Sequence, residues 1–150
     1  MEIRLTRDEA ELLRELCKEM RTLLEADIPR VDPVVARLFP DAYEEEDDTR
    51  AYRELVGDDL RMHKLAALRR VEEGLGGGGA TDLVLEGPAV DSWLTFLTDA
   101  RLAIGTRLDV TEETMDTERE EDDPDAPAYS VLHYLGWLQE ITIRGLEDEA

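Results

Sequence analysis

WLTFLTDARLAIGTRLD, residues 93–109, reads as an amphipathic helix at the centre of the fold. Trp93, Leu97, Ala100, Ile104 and Leu108 recur at helical spacing, with Val90, Leu94 and Arg101 flanking them. Arg101 and Arg107 sit in or beside that apolar stripe. A guanidinium beside a core-facing stripe needs a partner, because burying an unpaired charge is costly. The expected partner is a carboxylate or carbonyl, from Asp91, Glu86 or the acidic stretch downstream. Both arginines are therefore assigned first to architecture, and second to a pocket for an anionic ligand.

The flanking sequence supplies more helices. Thr6 and Glu9 form a capping box, and Leu12, Leu13, Leu16, Cys17, Met20, Leu23 and Leu24 follow on one face to about Ala26. Asp32–Pro33 opens a short helix through Val34, Val35, Leu38 and Phe39, which Pro40 stops. A long helical segment runs from about Thr49 to Glu73, with a kink or break expected near Gly57. The last helix starts near Pro127. Its apolar residues cover most of its circumference, which predicts the central, most buried helix. Residues 3–5 and 83–85 are short strand candidates that could pair. The expectation is an all-α bundle with at most a minimal two-stranded β element, in a single domain over residues 1–150. Residues 74–79, rich in glycine, are expected to be a flexible connector, and residues 110–126 an acidic loop.

The chain has 38 acidic and 17 basic residues among 150, for a formal net charge of −21. Such a field repels nucleic acid and anionic membranes and favours basic protein surfaces. Direct nucleic-acid binding is disfavoured, although Arg50, Arg53, Arg61 and Lys64 fall near one helical face. Pairing with Glu54, Asp58, Asp59 and Glu72 along the same helix accounts for that stripe more simply. Two such chains repel each other, which leaves a monomer or a homodimer with a largely apolar interface. The N-terminus lacks the apolar run of a signal peptide, no stretch reaches the length of a membrane span, and the lone Cys17 fits a reducing cytoplasm.

Motifs for catalysis are missing. No HExxH, CxxC, Glu-x-x-His, calcium-loop or nucleophile-elbow pattern occurs, so neither a metal site nor a cofactor is expected. Cys17 stands on an apolar stripe near Arg14, Lys18 and Arg21. A buried thiol is the simpler reading, and a cation-activated redox thiol the sharper one.

Three segments carry a family resemblance: RLFPDAYEEEDDTRAYREL (residues 37–55), WLTFLTDARLAIGTRLDV (93–110) and YSVLHYLGWLQEITIRGL (129–146). They resemble an actinobacterial family of unknown function, often encoded beside the ClpS protease adaptor, one branch of which includes the oxidative-stress regulator AosR. The resemblance implies a cytoplasmic, mainly helical regulator rather than an enzyme. It also implies transcriptional control through a sigma factor or RNA polymerase. That branch is linked to thiol-based sensing, and this sequence departs from it: Cys17 is alone, so an intramolecular disulfide switch is impossible. The family's usual N-terminal lead is also longer. The leading expectation is a non-enzymatic regulatory protein that binds another protein. Its candidate contacts are Tyr43, Glu44, Glu45, Arg50, Arg53, Arg61 and Lys64. DNA binding and an arginine-lined ligand pocket are the alternatives.

Overall fold

A computed structural model describes residues 1–25, 33–38, 50–108 and 123–149, with side chains described outside 33, 35–36, 50–58 and 148–149. In chain order the elements are β1 (Glu2–Leu5), α1 (Arg7–Glu25), α2 (Pro33–Leu38), α3 (Arg50–Leu75), β2 (Thr81–Val84), α4 (Pro88–Arg107) and α5 (Ala126–Glu149). The two strands pair antiparallel, with Ile3 opposite Leu83 and Arg4 opposite Asp82. The second strand starts two residues earlier than its apolar residues suggested, because Thr81 and Asp82 extend the ladder. Leu5 and Leu83 point into the core, while Arg4 Nε meets Asp82 Oδ1 at 3.1 Å in solvent.

α4 is the packing centre. Trp93, Phe96, Leu97, Ala100 and Ala103 are buried along it, and α1, α2, α3 and α5 all pack against it. Trp93 and Phe96 meet edge to face, 6.0 Å between centroids and 89° between planes. Pro88 sits at the start of α4, after Gly87 at φ 55°, which only a residue without Cβ adopts readily. A single cluster of buried side chains draws on every described element.

The last helix is not the central one. α5 buries Tyr129, Leu132, Leu135, Leu138 and Thr142 on one side, but Trp137, Ile143 and Leu146 are exposed. Apolar residues around a whole circumference signal burial only when other elements surround the helix, and α5 has α4 on one side. The expected break at Gly57 is also absent: α3 runs unbroken from Arg50 to Leu75. The cost of one helical glycine, roughly 1 kcal/mol, is small against the packing of a helix this long.

The glycine-rich stretch is pinned rather than free. α3 ends at Leu75, and Arg14 of α1 reaches across to its exposed carbonyls. Its Nη2 donates to Leu75 O at 2.7 Å and Gly79 O at 3.0 Å, and its Nε to Gly76 O at 3.1 Å. Thr81 Oγ1 also donates to Leu75 O, at 2.9 Å. A cation at a helix C-terminus satisfies unpaired carbonyls and opposes the helix dipole, so Arg14 fixes the turn that leads into β2.

The capping box at α1 forms as the sequence predicts. Thr6 N donates to Glu9 Oε1 at 3.0 Å, and Glu9 N to Thr6 Oγ1 at 3.2 Å. The Thr6 amide holds the Glu9 carboxyl below its ordinary value of 4.5. Thr6→Ala is expected to cost about 1 kcal/mol in a urea melt at neutral pH. The stability that Glu9 contributes is complete above 4.5 and is lost as pH falls through its lowered value. The stability gap between Glu9→Gln and the parent should therefore close on acidification through that range.

Candidate functional site

The functional reading of the middle helix depends on where its cations go. Lys64 leaves the predicted basic stripe and turns inward, where its Nζ lies 2.6 Å from Asp99 Oδ1 of α4. The two side chains are 12% and 6% exposed, so this is a buried ion pair between helices. Burial pushes the Asp99 carboxyl up from its ordinary value, and Lys64 opposes that shift. Asp99 falls three residues after Phe96 and four before Ala103, both buried, so the helical period itself places it on the inner arc. A stripe drawn only through Trp93, Leu97 and Ala100 leaves it out.

Glu72 is likewise not paired along its own helix. It binds Arg21 of α1, whose Nη1 also meets Glu25 at 2.9 Å. Arg61 is half-buried and Arg70 Nη1 reaches Ser92 Oγ at 3.4 Å. Lys64 is therefore unavailable to a phosphate or a partner surface. Tyr43, Glu44 and Glu45, together with the side chains of Arg50 and Arg53, lie outside the described residues, as does most of the predicted acidic loop.

Cys17 is 2% exposed, on the buried face of α1. Burial, with a further push from the Glu72 charge, raises its thiol to about 12, against a smaller opposing effect of Arg21. Such a group is almost wholly protonated at neutral pH and makes a poor nucleophile. The nearby cations do not activate it: Arg14 is committed to carbonyls, Arg21 to glutamates, and Lys18 to Glu15 at 3.1 Å.

Arg101 has no carboxylate partner among the described residues. Its Nη1 donates to the side-chain oxygen of Gln139 on α5 at 2.6 Å, and Gln139 Nε2 in turn donates to Thr98 Oγ1 at 2.8 Å. The guanidinium lies against Gly136, where an added Cβ would sit 3.5 Å from it. Arg107 is exposed in the last turn of α4, where a cation suits the dipole. The two arginines have different environments: Arg101 joins α4 to α5, whereas Arg107 faces solvent.

On α5, Tyr134, Trp137 and Ile141 follow at helical spacing. Tyr134 and Ile141 are half-buried and Trp137 is 53% exposed. The Tyr134 and Trp137 rings are 6.0 Å apart. Burial and the neighbouring Glu9 carboxylate push the Tyr134 phenol up, and its hydroxyl has no hydrogen-bond partner among the described residues. Among the described residues, no cluster of three or more His, Cys, Asp or Glu could hold a metal, and no helix is long and apolar enough to cross a membrane.

The fold thus defines a mainly α-helical protein with a minimal antiparallel ribbon and an open aromatic stripe on its last helix. The chain belongs to the family described as Domain of unknown function (DUF2017), whose model matches residues 1–146. Neither the curated proteins nor the solved structures gave a match.

Removing one member of the buried pair strands the other. Lys64→Ala is expected to cost about 3–5 kcal/mol at neutral pH, measured by chemical denaturation. The penalty should shrink as pH falls, because an unpaired Asp99 then takes a proton. Lys64→Met combined with Asp99→Leu should recover most of the loss.

Proposed function

We propose that this protein is a non-enzymatic regulator that acts by binding another protein, with the outer stripe of α5 as its contact face. The observation that carries this reading is Trp137. Trp137 is 53% exposed beside the Tyr134 ring, and tryptophan is among the residues that most often dominate binding energy at protein interfaces. Tyr134 and Ile141 extend the stripe along the helix. A stripe carried on an already formed helix lowers the entropic cost of association.

The net charge of −21 favours a partner with a basic surface. The resemblance to the branch that includes AosR supports a transcriptional setting, with a sigma factor or RNA polymerase as the partner, in an actinobacterial cytoplasm. A thiol switch is not part of the proposal, because Cys17 is buried and held protonated.

The test is affinity capture from host lysate with the parent chain and with Trp137→Ala, at low and high salt, read by mass spectrometry. The parent should recover a sigma factor or RNA polymerase, with recovery falling at high salt. Trp137→Ala should lose at least about tenfold of it while unfolding at the parent's temperature. Equal recovery by both proteins would remove the α5 stripe from the contact.

A further inference from the structure

Between α4 and α5 lies a groove of about 330 Å³, lined by Arg101, Gly136, Gln139, Glu140, Ile143, Arg144 and Glu147. It is separate from the Trp137 stripe, and its argument does not depend on the proposed function. Its charges are unevenly satisfied. Arg144 Nη2 binds Glu140 at 2.6 Å, so those two cancel. Among the described residues Arg101 meets only the neutral oxygen of Gln139, and its Nε is sealed from solvent without an acceptor. In a chain with 38 acidic residues, a half-buried arginine held by an amide retains its full charge for something else. The holding is specific: Thr98 orients Gln139, Gln139 fixes Nη1, and Gly136 leaves room for the guanidinium to lie flat against α5.

We propose that this groove binds a small carboxylate with a short apolar chain. The carboxylate would approach the Arg101 guanidinium from its Nη2 edge, since Nη1 is bonded to Gln139 and Nε is sealed from solvent. The apolar chain would lie on Ile143, which is 42% exposed. Glu147 on the lining weighs against a dianion such as phosphate and favours a single negative charge. The carboxylate has two sources, a free short-chain acid or the C-terminal end of a peptide.

Hexanoate represents the first source and N-acetyl-alanyl-leucine the second. Each is titrated into the intact protein against chloride at constant ionic strength and pH, following the arginine Nε–H signals by NMR. The Arg101 signal, assigned by its absence in Arg101→Lys, should move to saturation, with Arg4 and Arg7 unmoved. The tighter of the two probes identifies the source. Ile143→Glu alters an exposed position, keeps Arg101 in place, and should weaken binding by about tenfold or more. The proposal is overturned if Arg101 responds no more than Arg4 and Arg7, if inorganic phosphate binds more tightly than either probe, or if Ile143→Glu binds as the parent does.

Discussion

A carboxylate inside a helical core has to be matched by a cation from a neighbouring helix, and Asp99 imposes that requirement on this fold. It lies on α4, the helix that every other described helix touches, and it is answered by Lys64 of α3 at 2.6 Å. The pair gains little net stability over an apolar replacement, because both charges are taken out of water. Its effect is on register. Lys64 reaches Asp99 only with α3 and α4 set at one offset, and Trp93, Leu97, Val71 and Leu68 then fill the core around it. Once α4 is held in this way, α1 and α2 cover further sides of it, and α5 takes the one that remains.

The chain has few cations, and several of them do structural work. Arg14 closes the C-terminal end of α3, Arg21 joins α1 to α3 through Glu72, Lys64 neutralises Asp99, and Arg101 joins α4 to α5. The glutamates and aspartates are left mainly at the surface. Lys64, which residue spacing places in a basic stripe, is one of the cations withdrawn from the surface. Arg14 and Arg101 meet neutral oxygens, whereas Arg21 and Lys64 meet carboxylates.

Much of the fold was legible in the sequence because local rules governed it. The Thr6–Glu9 capping box, the apolar face of α1, the Gly87–Pro88 start of α4 and the pairing of the two short strands each depend on neighbouring residues or on simple periodicity. What could not be read depended on tertiary neighbours. The apolar character of α5 was read as burial, since a sequence does not say how many sides of a helix are covered. Lys64 and Glu72 were matched to charges on their own helix, because spacing along one helix is visible and distance between helices is not. The glycine-rich stretch looked free because its restraint, Arg14, lies more than sixty residues earlier. The surroundings of Cys17 and Arg101 are not visible along the chain: Cys17 is set by its burial and then by Glu72, and Arg101 by Gln139, both residues from other helices. In the sequence Trp137 is one more apolar residue of α5, and its exposure comes from the tertiary arrangement.

The account of function rests on α5 being a covering helix with an open outer stripe. The chain has two tryptophans, which makes that claim directly measurable: Trp93 is 3% exposed and Trp137 is 53% exposed. Acrylamide quenching of the native protein should resolve one accessible and one shielded emitter, and Trp137→Phe should leave only the shielded one. If both tryptophans are shielded in the parent, the stripe is already covered and the account is wrong.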